Sequence, residues 1–253
     1  MEHVRVETHA GLAVITMQRD KVNALNHALL LELDAALAGA AARDGVEAVI
    51  LTSDRPRFFS PGFDVTEVFQ YQRAEIAAFL ATFGVLMDRL MWMEKPTIAA
   101  LNGQTYAGGA LLALCCDFRL MAEGPYGFAL TEVNIGVRLP ESVFRMLAQA
   151  VGVPVARRMF LTGEPLGAAE GLAHGLFAAI TPPDELMPQA TAFAAKLAGK
   201  PRATYTAIKH KMLAASGIEK MRAGENWLDV EAWFTPEAEA MKRKLAEKLG
   251  KQP

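Results

Sequence analysis

The chain has 253 residues, 52% hydrophobic and 21% charged, with a formal net charge of -2. That composition describes one globular domain, or one with an appendage, with ample material for a core. A basic face is the usual footprint of nucleic-acid binding, so this charge balance argues against nucleic acid as a main partner.

The opening MEHVRVETHAG is polar and strand-like, unlike a signal peptide. No window offers the ~18 uninterrupted apolar residues of a membrane span. The expectation is a soluble cytoplasmic protein. Cys115 and Cys116 are adjacent within an apolar run. That is neither a disulfide framework nor a zinc pattern, so buried free thiols are expected. The five histidines are scattered with no H-x-x-x-H pair, and no metal site is expected.

In chain order, Val4-Arg5-Val6-Glu7-Thr8 alternates, turns at Ala10-Gly11, and continues as Leu12-Ala13-Val14-Ile15-Thr16-Met17. This reads as a hairpin. Apolar residues at helical spacing over 26–43, with Asn26 as N-cap, predict a helix. Residues 48–52 read as a buried strand, 53–62 as a polar loop, and 64–93 as helical. Residues 96–101 read as another buried strand, followed by a helix opening at Gly108-Gly109, and 118–122 as a strand. Alternating strands and helices predict an α/β core. Beyond residue 181 the pattern is helical. A soft boundary at Gly199-Lys200-Pro201 divides a core over 1–197 from a helical region over 198–253. Residues 241–251 read as a charged amphipathic helix.

Three short stretches carry chemistry. Gly108-Gly109 sits where a strand gives way to a helix. Glycines there either let the first free N–H groups of the helix meet an anionic ligand, or only permit close packing. Phe58-Phe59-Ser60-Pro61-Gly62-Phe63-Asp64 is a second tight turn into a helix, able to supply another amide. Two amides from two loops would make an oxyanion hole, each contributing ~3 kcal/mol to a transition state. Glu132 stands in the mostly apolar stretch 128–136. It is either a desolvated acid of raised pKa, suited to acid–base work, or an ordinary exposed glutamate. Ser60 lacks a histidine partner in sequence and a G-x-S-x-G elbow. Glu141 follows Pro140 as an acid does in the first turn of a helix.

In this order the stretches resemble the crotonase superfamily of enoyl-CoA hydratases and isomerases, over almost the whole chain. Phe59-Ser60-Pro61-Gly62-Phe63-Asp64 is similar to its F-S-A-G-x-D motif, Asn102-Gly103 through Asp117 to its N-G-x-x-x-G-G-G-x-E-L-A-x-x-C-D motif, and 128–136 to its F-x-x-P-E-x-x-x-G motif. The resemblance implies a spiral of β-β-α units with a helical C-terminal region that builds trimers, often paired into hexamers. It implies an acyl-CoA thioester substrate whose carbonyl oxygen meets the N–H groups of Phe63 and Gly108. The family's two catalytic glutamates fall at Leu111 and Glu132. Leucine moves no proton and would dry one side of the site, leaving Glu132 as a single base.

One base suffices for a 1,3 proton shift. Ala107-Gly108-Gly109-Ala110-Leu111 and Val22-Asn23-Ala24-Leu25 further resemble the Δ3-Δ2-enoyl-CoA isomerases. The implied activity is conversion of a 3-enoyl-CoA to the 2-trans-enoyl-CoA, with no cofactor beyond the coenzyme A that arrives with the substrate. The alternatives are a hydratase or another crotonase-type hydrolase or lyase, with Glu141 supplying a second carboxylate, or an idle acyl-CoA-binding trimer. For coenzyme A the resemblance implies Lys21 near a phosphate, backbone of Ser60 and Pro61 near the adenine, and basic residues among Lys242, Arg243 and Lys244. Phe69, Phe79, Phe83, Trp92 and Phe144 either line a pocket or fill the core.

Overall fold

The computed structural model describes residues 1–219 and 229–248. The hairpin forms as β1 (Val4–His9) and β2 (Leu12–Met17). Next comes α1 (His27–Ala42), capped where the Asn26 side chain accepts from the Leu29 amide at 3.0 Å. The chain continues through β3 (Ala48–Ser53), β4 (Arg57–Ser60), α2 (Val65–Val68) and α3 (Arg73–Met91). Then follow β5 (Thr97–Leu101), β6 (Gly103–Tyr106), α4 (Gly108–Cys115), β7 (Phe118–Ala122), β8 (Gly127–Ala129) and a 3-10 turn (Glu132–Ile135). The remainder is α5 (Glu141–Val151), α6 (Val153–Thr162), β9 (Leu166–Gly167), α7 (Ala168–Ala173), β10 (Ala179–Thr181), α8 (Leu186–Ala198), α9 (Arg202–Ala215), α10 (Val230–Trp233) and α11 (Pro236–Lys248). Residues 249–251 of the expected tail helix lie outside the described residues.

Two sheets organise these elements. The larger has the order β1-β2-β3-β5-β7-β10, antiparallel at the hairpin and parallel from there on; the smaller runs β4-β6-β8-β9. The larger sheet is covered on both faces, and its side chains divide with the two-residue period of a strand. Val49 and Leu51 of β3 enter the main core with α1, α3 and α4, whereas Ala48 and Ile50 face Leu186, Ala190 and Ala194 of α8. Burial on both faces explains why β3 and β5 read as continuous apolar runs.

The structure departs from the expected elements in two places. The helix expected over 64–93 is two helices. Asp64 caps α2, and a reciprocal capping box between Gln72 and Glu75 restarts the chain as α3. The loop expected over 53–62 contains β4, and β6 and β8 are further strands without a sequence expectation. All three are short, four residues or fewer, and β6 is the polar GQTY. Their pairing in the small sheet, not their own pattern, makes them strands. Gly199 and Pro201, at the expected boundary, fall between α8 and α9.

Candidate active site

Three parallel strands of the small sheet end side by side, with Ser60 of β4 opposite Thr105 of β6 and Tyr106 of β6 opposite Ala129 of β8. The three stretches singled out in the sequence are the loops that leave their C-terminal ends, where open α/β sheets commonly hold ligands.

The first loop is Pro61-Gly62-Phe63. Phe63 bridges Leu25: the Leu25 amide donates to the Gly62 carbonyl at 2.8 Å, and the Asp64 amide donates to the Leu25 carbonyl at 2.8 Å. In extended backbone these groups point one way, so the Phe63 N–H points the other. Gly62 has φ +99°, and a Cβ there would lie 2.8 Å from the Ala107 Cβ and 3.1 Å from the Gly108 nitrogen. The first loop therefore rests on the second.

The second loop turns at Ala107, whose φ of 46° and ψ of -124° are strained for a residue with a Cβ. Such conformations cost about 1–3 kcal/mol and persist where the surroundings enforce them. Here the Ala107 amide donates to the Ala129 carbonyl at 2.9 Å. The turn makes Gly108 the first residue of α4, with an amide that has no partner inside the helix. Among the described residues, neither the Phe63 nor the Gly108 amide donates a hydrogen bond to protein. The glycines also serve packing. A Cβ on Gly108 would be 2.9 Å from the Phe63 ring, and one on Gly109 would be 2.5 Å from the Ser60 carbonyl oxygen.

The third loop carries Glu132, first in the 3-10 turn. It is 6% exposed, and its Oε2 has no hydrogen-bond partner among the described residues. Burial pushes its pKa up to about 7, against a smaller downward pull from its own backbone N–H. Leu111, one helical turn beyond Gly108, is buried and apolar. The arrangement offers two free amides and a buried acid whose pKa is raised to about 7, with leucine in the core at position 111.

The remaining candidates are placed as follows. Ser60 is fully buried: its hydroxyl donates to the Asn23 carbonyl at 2.8 Å and accepts from the Gly62 amide at 3.2 Å. Pro61 is half-buried beside it, and Lys21 is exposed after β2. Glu141 opens α5 as an exposed residue, ion-paired to Arg145 at 2.6 Å. Lys242 is buried, ion-paired to Glu239, with its ammonium 5.1 Å from the Trp233 ring centre and 5.3 Å from that of Phe234. Arg243 and Lys244 are exposed. Phe79 and Phe83 are buried against the Phe63 ring at 4.7 and 5.1 Å, Phe69 lies 5.9 Å from Trp233, and the Trp92 ring lies 5.0 Å from that of His210. Phe144 is half exposed on α5.

Sequence reasoning missed Arg19 and Trp233. Arg19 donates to Asp64 at 2.8 Å, behind the first loop; Trp233 lies 6.3 Å from the Phe63 ring. Both reach the site from distant sequence, so no local pattern marks them. At the other end of α4, a cavity of about 480 Å³ is lined by Leu114, Cys115, Cys116, Asp117 and Lys209, among others. Burial pushes both thiols up, which leaves them protonated and poor nucleophiles. Among the described residues no cluster of three or more His, Cys, Asp or Glu is set to hold a metal, and no helix is long and apolar enough to cross a membrane.

The model of a family described as enoyl-CoA hydratase/isomerase matches residues 7–242. The chain is 31% identical over 223 residues to the mitochondrial enoyl-CoA delta isomerase 1 of Mus musculus, covering 88% of this chain and 77% of that protein. It is 32% identical over 200 residues to the crotonyl-CoA hydratase of Syntrophomonas wolfei subsp. wolfei, covering 79% and 76%. The crystal structure of human mitochondrial delta3-delta2-enoyl-CoA isomerase superimposes with a TM-score of 0.88, at 27% identity and 98% coverage of both chains.

Proposed function

This chain belongs to the enoyl-CoA hydratase/isomerase family, and from that premise we propose that it shifts the double bond of a 3-enoyl-CoA to the 2-trans position, with Glu132 as the sole acid–base. The Glu132 carboxylate takes a proton from the α-carbon. The electron pair of the broken C–H bond enters the conjugated dienolate, whose charge gathers on the thioester oxygen between the Phe63 and Gly108 amides. The protonated Glu132 then returns the proton to the γ-carbon, and the product leaves as the 2-enoyl-CoA. No proton or electron is gained overall. Coenzyme A enters only as part of the substrate, and no other cofactor is called for.

The observation that carries this reading is the buried Glu132, whose Oε2 has no hydrogen-bond partner among the described residues, in a chain with leucine at position 111. A base whose pKa is about 7 removes and returns a proton with little loss either way near neutral pH. An apolar side chain at Leu111 holds no water for addition. Likeness to hydratases at similar identity supports a second reading, hydration of a 2-enoyl-CoA; it requires another group to hold the water. The assembly is read as a trimer or a pair of trimers, and the compartment as the cytoplasm, on the resemblance and composition alone.

A paired assay tests the proposal. The wild type and Glu132→Gln are given a 3-enoyl-CoA, followed by absorbance of the conjugated product, and crotonyl-CoA, followed by its hydration. Isomerisation that is lost in the variant, with negligible hydration, is expected. Efficient hydration by the wild type would overturn the single-base reading.

A further inference from the structure

We propose that Arg19 is a positioning residue for the thioester site, fixing the direction of the Phe63 amide by tying together the two segments whose pairing exposes it. The inference rests on the reading of Phe63 as a donor to the thioester oxygen and adds a residue that no motif marks.

The Phe63 amide is aimed by its bridge to Leu25, and Arg19 grips both sides of that bridge. Its Nη1 donates to the carbonyl of Ala24, one residue before Leu25, at 2.6 Å. Its Nη2 donates to the carboxylate of Asp64, one residue after Phe63, at 2.8 Å. Arg19 is itself held, its amide donating to the Asn23 side chain at 2.8 Å. The pair is largely shielded from water, with side-chain exposures of 13% for Arg19 and 10% for Asp64. Asp64 meanwhile caps α2 by accepting from the Thr66 amide at 3.0 Å, so one carboxylate orients both the loop and the helix after it. Glu67 adds a longer contact to Arg19 at 3.4 Å and accepts from the Asn26 side chain at 2.8 Å.

The planar fork of a guanidinium suits this work. Its two terminal nitrogens hold acceptors on different segments at a fixed separation, which a lysine ammonium on a flexible stem does not reproduce. Small errors in donor placement weaken stabilisation of charge that develops only in the transition state. Arg19 thus acts on the reaction through Phe63 and touches no substrate atom.

The test compares wild type, Arg19→Lys and Asp64→Asn, which keeps a side-chain oxygen for the α2 cap. Two readouts are used: steady-state isomerisation, and the absorbance of bound 2,4-hexadienoyl-CoA. That chromophore shifts to the red when its carbonyl oxygen is hydrogen-bonded. Both variants are expected to lose about 10–100-fold in kcat, less than the loss of a whole donor, with KM within about threefold of wild type. The red shift should shrink and the pH dependence governed by Glu132 should stay in place. A merely structural role would lower the melting temperature and leave kcat per folded molecule and the red shift unchanged; that result overturns the inference. A wild type that red-shifts the probe without isomerising 3-enoyl-CoA, with the shift reduced in both variants, would keep Arg19's role and overturn the isomerase reading. Absence of any red shift in the wild type would overturn both.

Discussion

The amide of Ala107 donates to the carbonyl of Ala129 at 2.9 Å. One residue beyond Ala107 is the free Gly108 amide, and three residues beyond Ala129 is the Glu132 carboxylate. A single strand-end hydrogen bond therefore sets the register of the candidate donor against the candidate base, and holds Ala107 in its strained turn.

Glu132 links activity to stability with opposite signs. Its pKa is about 7 in the fold, against an ordinary 4.5. Between those values the folded protein holds a proton that the unfolded chain has released, so folding stability falls as pH rises through that window, by up to about 3 kcal/mol. Glu132→Gln, which cannot ionise, should match the wild type near pH 4 and exceed it near pH 8. Urea unfolding at both pH values checks this; a stability difference that does not change with pH would refute it. Activity should run the other way, with kcat/KM of the wild type rising through about pH 7 as the base form appears.

Gly108 and Gly109 should separate function from folding. A methyl on Gly108 meets the Phe63 ring at 2.9 Å, whereas one on Gly109 meets the Ser60 carbonyl oxygen at 2.5 Å. Gly108→Ala keeps the backbone N–H but drives its methyl into the Phe63 ring, displacing the two amides from each other. It is expected to lose about 10–100-fold in kcat, less than the loss of a whole donor, with a modest fall in melting temperature. Gly109→Ala should cost about 1–3 kcal/mol in unfolding free energy, because backbone must move to admit the methyl. Equal effects of the two on both readouts would contradict the distinct roles assigned here.

Leu111→Glu would add a second carboxylate one helical turn beyond Gly108. Hydration of crotonyl-CoA should rise at least tenfold above the wild type and isomerisation should fall, both followed on purified protein, at a cost of about 1–3 kcal/mol in stability for burying a polar group. No gain in hydration from a folded variant would show that Leu111 is not what excludes water addition.

Asp117 fastens α9 to the core. Its carboxylate accepts from the Thr97 amide and the Tyr205 hydroxyl, each at 2.9 Å, and pairs with Lys209 at 2.8 Å. Lys209→Met strands a buried carboxylate and should cost about 3–5 kcal/mol, as should Asp117→Leu for the ammonium it strands. The double variant should cost less than the sum by more than about 1 kcal/mol. Additive losses in a denaturant-based double-mutant cycle would mean that the pair does not couple.

The sequence by itself determined the elements whose signals are local. The β1–β2 hairpin follows from alternation around Ala10-Gly11, and α1 from its spacing and the Asn26 cap. The apolar runs of β3 and β5 follow from burial on both faces of the large sheet. The order of the three chemical stretches was also legible, and with it the family. Tertiary structure alone decided what cannot be encoded in a window of a few residues. The strands β4, β6 and β8 are too short to declare themselves, and exist because they pair. Glu132 taken by itself read as an ordinary exposed loop glutamate, and only the fold shows it buried, since desolvation is a property of everything packed around a side chain. Arg19 lies 45 residues from Asp64 in sequence, and only the folded chain brings the guanidinium to the loop it holds.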